Sequence, residues 1–202
     1  MLSRLRDGMT RVATPLARFL LARGVGPDAV TIGGTLVVVV AALWAFPTGH
    51  LLIGTLVIAL FVLTDALDGT MARLSGRAGP WGAFLDSTLD RIADAAIFAG
   101  LIVWFTGAGE DRLTAILALA ALVLGSVVPY ARARAEGLGL TASVGIAERA
   151  DRLAVVLIAT GVVGLGAPVV VLTVALGLLS LASLVTIGQR AAAVRAQLAE
   201  RG

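Results

Sequence analysis

The sequence predicts an all-α integral membrane protein, six transmembrane helices behind an N-terminal amphipathic interfacial helix, with both termini on the cytoplasmic side. Three observations predict it. The 202-residue chain is 58% hydrophobic and only 14% charged, with a mean hydropathy of +0.98, whereas soluble domains carry about 25% charge. Its apolar residues fall into six uncharged runs. Its arginines gather between alternate runs, as the retention of positive loops on the cytoplasmic side requires.

The elements follow in order. In residues 1–23, Leu5, Met9, Val12, Leu16 and Leu20 recur at helical spacing while Arg4, Arg11 and Arg18 repeat every seven, the pattern of a helix lying in the membrane interface. A cleaved signal peptide fits less well, because the polar stretch is too long and the apolar run ends at Phe46-Pro47 without a small-residue cleavage site. The apolar runs are Ala29–His50, Leu51–Thr64, Ala95–Gly109, Leu113–Ala131, Leu153–Ala167 and Pro168–Gln189. A spanning helix needs about 20 apolar residues. The second and third runs reach that length only if extended through Asp65–Arg73 and back to Gly82, so two spans carry polar groups within them. No repeat or linker divides the chain, and residues 24–202 read as one six-span bundle within a single domain, 1–202.

With both termini inside, fourteen of the 16 arginines lie on the cytoplasmic side, Arg112 lies outside and Arg91 falls within a span. Trp44 and Trp104 then sit near outer ends and Trp81 near an inner one, as an aromatic belt would place them.

Composition also narrows the chemistry. All 16 basic residues are arginine, so lysine nucleophiles and Schiff bases are excluded. Cysteine is absent, which removes disulfides and thiolate sites. The lone His50 falls in an outer turn and cannot form a multi-histidine metal site. A net charge of +3 and a pI near 10.9 would point to nucleic acid in a soluble chain. In so apolar a chain they point instead to an anionic membrane surface or a phosphate-bearing substrate, and no nucleic-acid partner is expected.

The informative segment is Thr64–Asp94, TDALDGTMARLSGRAGPWGAFLDSTLDRIAD. Asp65 and Asp68 are spaced i, i+3, and Asp86, Asp90 and Asp94 are spaced i, i+4, i+8, so each set lines one helix face. The turn residues from Ser75 to Pro80 make the two helices antiparallel neighbours. An aspartate in mid-bilayer costs roughly 2.5–3.5 kcal/mol, so four together need compensation. Arg73 and Arg91 supply two charges at most, whereas two divalent cations supply four, matching Asp65, Asp68, Asp86 and Asp90. Oxygen-only ligands favour Mg²⁺, with Mn²⁺ the second choice. Gly69, Ala72 and Gly82 let the two backbones approach each other or a ligand closely.

The string Asp65-x2-Asp68-Gly69-x2-Ala72-Arg73-x8-Gly82-x3-Asp86-x3-Asp90 resembles the signature of the CDP-alcohol phosphotransferases. The resemblance implies a binuclear-metal enzyme that displaces CMP from a CDP-alcohol with an acceptor hydroxyl. It implies that Asp65, Asp68 and Asp86 hold the metals, and that Asp90 completes the second metal site and is the general base. It places the donor, CDP-diacylglycerol, against Asp28, Ala29, Val30 and Thr31, and against Gly69, Ala72, Arg73, Gly79 and Gly82. Without the resemblance, Asp28 and Thr31 would read as helix caps.

The wider resemblance, carried by GVGPDAVTIGG, WGAFLDSTLDRIADAAIF, YARARAEGLG and ERADRL, is to the actinobacterial phosphatidylinositol phosphate synthases. It implies an inositol phosphate acceptor, a homodimer among membrane lipids, and a bacterial cell-membrane enzyme whose active site faces the cytoplasm. Arg132, Arg149, Arg152 and Arg190 are the candidate acceptor-phosphate residues, since a guanidinium fork suits phosphate oxygens; the positive-inside rule alone would also place arginines there. The alternative reaction is that of a phosphatidylglycerophosphate synthase or another CDP-alcohol phosphotransferase. A cation transporter is the alternative outside enzymes, but it needs polar groups leading to both faces, and only Asp94 lies deeper than the cluster.

Overall fold

The computed structural model describes residues 14–62 and 65–201, with the side chains of residues 65 and 66 outside the description. Every regular element among the described residues is helical. Residues 14–22 form the first, α1. It is followed by α2 (Pro27–Ala45), α3 (Leu51–Val62), α4 (Asp65–Leu74), α5 (Pro80–Thr106), α6 (Arg112–Glu136), α7 (Arg149–Gly164) and α8 (Val170–Ala199). The expected interfacial helix is thus described only in its last part, residues 1–13 lying outside the described set. Ala17 of α1 is fully buried against Leu67 and Met71 of α4, while Leu16 and Phe19 are about half exposed.

Local chemistry sets the helix ends. Both α2 and α5 begin with an extended glycine, Gly26 or Gly79, followed by a proline in the first turn, where the missing N–H costs no hydrogen bond. α4 and α5 are joined through Gly76, whose φ of +67° suits a residue without Cβ. α6 is capped by Asp111, whose carboxylate accepts the Thr114 backbone N–H at 2.9 Å.

α2 packs on α3, α4 and α5; α6 packs on α5 and α8; and α7 packs on α3 and α8. Phe46, Ile58, Ile97, Leu101, Phe105, Val156, Leu172 and Leu176 fill the core. Small residues bring backbones together at two crossings. A Cβ on Gly100 would overlap the Ala42 carbonyl of α2, and one on Gly164 would lie 2.5 Å from the Leu52 backbone nitrogen of α3.

Large apolar side chains also face outward. Leu36, Val40, Leu56, Leu60, Leu178 and Leu181 are 59–66% exposed, far more apolar surface than a water-facing monomer presents. Among the described residues, four stretches can cross a membrane by length and composition: Pro27–Ala45, Leu51–Leu74, Arg112–Glu136 and Val170–Ala199. α5 has the length, 27 residues, but carries Asp86, Asp90, Arg91 and Asp94 within its first fifteen. α7, at 16 residues, is shorter and begins with Arg149, Asp151 and Arg152.

Candidate active site

The carboxylates of the two helices come to one place. α4, the start of α5 and the start of α2 line a cavity of about 440 Å³, with the Gly76 turn between the first two. Seven of the eight signature positions line it: Asp68, Gly69, Ala72, Arg73, Gly82, Asp86 and Asp90. Asp65 opens α4, but its side chain is outside the described residues. Asp28, Thr31 and Gly79 line the same cavity, as do Arg77 and Arg149.

Asp68 is buried, and its Oδ2 accepts the Thr31 hydroxyl at 2.6 Å, while Oδ1 accepts the Gly69 N–H. The Thr31 hydroxyl also lies 3.1 Å from the Pro27 carbonyl, so it pins the first turn of α2 to α4. On the rim, the Trp81 indole N–H donates to Asp28 Oδ2 at 3.1 Å. A Cβ on Gly79 or on Gly82 would meet nothing within 4 Å, so there is open space beside the first turn of α5. Such a helix start favours phosphate.

Arg149, the first residue of α7, also lines the cavity and pairs with its carboxylates. Its Nη1 is 2.8 Å from Asp90 Oδ1, and its Nε donates to Asp94 Oδ1 at 3.1 Å. α7 starts there because the preceding loop is stapled to α8. The Thr186 hydroxyl accepts the N–H groups of Ile146 and Ala147, both at 3.1 Å, and Gln197 bonds to Thr141. Arg190 Nε donates to the Val144 carbonyl at 2.9 Å and its Nη1 to the Val128 carbonyl.

Among the described residues no three metal-ligating side chains stand close enough to hold an ion as they are placed. Asp90 is turned to Arg149, and Asp65 contributes no described side chain. The donor chemistry still fits a hard divalent cation. Asp68, Asp86 and Asp90 bring carboxylate oxygens to one cavity, and the two hydrogen-bond donors on buried Asp68, the Thr31 hydroxyl and the Gly69 N–H, are neutral, so its charge is left for a cation to balance.

Comparison with known proteins agrees with this geometry. The CDP-alcohol phosphatidyltransferase family model matches residues 25–179. The chain belongs to that family. Among its relatives in the CDP-alcohol phosphatidyltransferase family, the phosphatidylinositol phosphate synthases of Streptomyces avermitilis and Cutibacterium acnes are each 48% identical to it. Those matches cover 96% of this chain and 82% and 98% of the two relatives. The crystal structure of Mycobacterium tuberculosis phosphatidylinositol phosphate synthase with CDP-DAG bound is 45% identical with a TM-score of 0.86, covering 91% of this chain and 94% of that one. The same enzyme in complex with manganese and citrate gives a TM-score of 0.87 at 44% identity, covering 90% and 88%.

The remaining sequence-predicted positions separate. Ala29 is exposed and Val30 packs beside Ala17, Leu67 and Met71, so neither lines the cavity of this CDP-alcohol phosphatidyltransferase. Arg132 is half exposed and pairs with Glu136 on its own helix at 2.8 Å. Arg190 is buried on the two carbonyls just named. Arg152, also buried, lies 3.8 Å from Asp94 and lines a neighbouring cavity of about 470 Å³. Two residues outside the family signature join the site: Arg77 lines the cavity, and Trp81 bonds to Asp28 on its rim.

Proposed function

We infer that this chain transfers the phosphatidyl group of CDP-diacylglycerol to an inositol phosphate, releasing CMP. One observation carries the reading: seven positions of the family signature converge on a single cavity, whose lining also includes an open helix start and an arginine. The relatives' names, and the CDP-DAG held by the M. tuberculosis enzyme, support the choice of donor and acceptor.

The donor's two phosphates lie against the first N–H groups of α5 at Gly79–Gly82 and within reach of Arg73 and Arg77. Its diacylglycerol tails stay among membrane lipids, outside the apolar helices. The acceptor hydroxyl oxygen attacks the phosphorus that bears diacylglycerol. A new P–O bond forms, the P–O bond to CMP breaks, and the Asp90 carboxylate takes the hydroxyl proton. Asp65, Asp68, Asp86 and Asp90 would hold two divalent cations, Mg²⁺ or Mn²⁺, which supply charge neutralisation at the pyrophosphate. Arg149 faces the acceptor side of the cavity, and Arg152 stands one turn further along α7. Arg132 and Arg190 stand further out, and Arg190 serves to hold the loop that starts α7.

The same reading extends to topology. α5 is long enough to span, about 40 Å at 1.5 Å per residue. With α7 also crossing, the chain has six spans and both termini on the cytoplasmic side. Fourteen of its 16 arginines and the active site then face the cytoplasm of a bacterial cell membrane. The family resemblance further implies a homodimer.

The acceptor is tested by incubating the purified chain in vesicles with CDP-diacylglycerol, Mg²⁺ and one acceptor at a time. CMP release is expected with inositol phosphate. Release with glycerol phosphate and none with inositol phosphate would replace the acceptor while leaving the reaction class standing. Thr31→Val is expected to weaken Mn²⁺ binding and raise the CDP-diacylglycerol KM by about three- to tenfold, since it removes one hydrogen bond to a buried carboxylate. Mn²⁺ titration and initial rates read both; unchanged values would leave Thr31 a helix-capping residue.

A further inference from the structure

Asp94 lies outside the signature and has no part in the reaction as written above. It stands one turn beyond Asp90 on α5, its side chain is 13% exposed, and three arginines converge on it. Arg149 Nε donates to its Oδ1 at 3.1 Å. Arg152 Nη2 and Arg91 Nη2 each lie 3.8 Å from its Oδ2. These ion pairs tie the first turn of α7 to the carboxylate helix.

Arg149 therefore spans two carboxylates with different duties. Its Nη1 holds Asp90, which lines the 440 Å³ cavity with it. Its Nε holds Asp94, which instead lines the neighbouring cavity with Arg91 and Arg152. The reaction draws on Asp90 as ligand and proton acceptor, and a guanidinium on Oδ1 lowers its basicity and competes with a cation for its oxygens, so release of Nη1 favours that work. Asp94 has no such competing demand.

We propose that Asp94 is a positioning residue for the phosphorylated acceptor: it anchors Arg149 through Nε, so that Nη1 exchanges Asp90 for the acceptor's phosphate. The same carboxylate is the counter-charge of buried Arg152. Without it, Arg149 loses the anchor on its Nε, and Nη1 is no longer aimed at the acceptor's phosphate. The role rests on the reading that the acceptor carries a phosphate, and it holds for any acceptor that does.

The test is Asp94→Asn in the full chain, alone and combined with Arg149→Gln. The acceptor KM is expected to rise about 10- to 100-fold, the range for losing a charged hydrogen bond, with the CDP-diacylglycerol KM and Mn²⁺ affinity within about twofold. Equilibrium binding of inositol phosphate to the Mn²⁺-loaded protein without donor is expected to weaken in parallel. In the Arg149→Gln background, Asp94→Asn is expected to add less than about threefold, the non-additivity of residues that act as a unit. A fall in kcat with an unchanged acceptor KM, an equal loss of Mn²⁺ binding, or full additivity with Arg149→Gln would overturn the proposal. If Asp94→Asn does not fold, the cycle runs with Asp94→Glu, which keeps the charge and displaces it by one methylene. A severalfold rise in acceptor KM is then expected only where Arg149 is present, and equal changes in both backgrounds overturn it. A wild-type chain inactive with every phosphorylated acceptor refutes the reading of the reaction; a wild-type chain active with one, and a variant with unaltered acceptor KM, refute the role of Asp94 alone.

Discussion

Asp90→Asn is expected to lower CMP release by about three orders of magnitude or more while leaving the bundle folded. The amide cannot take the acceptor hydroxyl's proton, and loss of a positioned base alone costs about 10²–10⁴ in rate. It also removes one of the four carboxylates proposed for the cations, so Mn²⁺ stoichiometry or affinity is expected to fall with the rate. The fold survives because Arg149 does not depend on Asp90: its Nε keeps Asp94 at 3.1 Å. A buried charge stripped of all partners would be strongly destabilising, and this one is not stripped. Rates of CMP release, Mn²⁺ titration and thermal unfolding in lipid or detergent separate these effects. Turnover within about tenfold of wild type would remove Asp90 as the base.

That arrangement also shows where sequence reading reaches its limit. The spacing of Asp68, Asp86 and Asp90 determines which helix faces they occupy, and the glycine-proline turn determines that those faces meet, so the carboxylate wall was legible. The donor string from Asp28 to Thr31 was legible only in part. On a helix, positions three apart share a face while the two between them do not; Asp28 and Thr31 line the cavity, Val30 turns to Leu67 and Met71, and Ala29 is exposed. The arginines were the least legible. Topology places arginines at every cytoplasmic helix end, so their presence says little about which of them turn inward. That depends on the path of the loop between α6 and α7, which is set by Thr186, Arg190 and Gln197 on a helix some forty to sixty residues away in sequence. Arg190 is used up in holding that loop, Arg132 pairs along its own helix, and Arg149 reaches the site. Asp94 was visible as a deeper carboxylate, but its partners on α7 lie 55 and 58 residues further along the chain.

Gly100→Ala is expected to damage the same site from a distance. Gly100 lies ten residues past Asp90, about 15 Å along α5, at the crossing with α2. A Cβ there would overlap the Ala42 carbonyl oxygen, lie 3.1 Å from the carbonyl carbon and lie 3.2 Å from Phe46 Cβ. Two of these neighbours are backbone atoms within a helix, so they cannot swing aside as a side chain would; the helices must separate. Overpacking of this kind costs about 1–3 kcal/mol. The consequence reaches the chemistry because α2 carries Asp28 and Thr31, α5 carries Asp86 and Asp90, and the cavity lies between them. Moving α2 outward strains the Thr31–Asp68 hydrogen bond and widens the donor cleft, so the CDP-diacylglycerol KM is expected to rise together with a lowered unfolding midpoint. Gly33→Ala is the matched comparison on α2. Its Cβ would meet nothing within 4 Å, and replacing a helical glycine by alanine favours the helix by about 0.8–1.0 kcal/mol. Thermal unfolding of the two variants is therefore expected to shift in opposite directions from wild type. A Gly100→Ala protein that unfolds with the wild type and binds donor equally well would mean that α2 and α5 can separate at their crossing without disturbing the cavity they enclose.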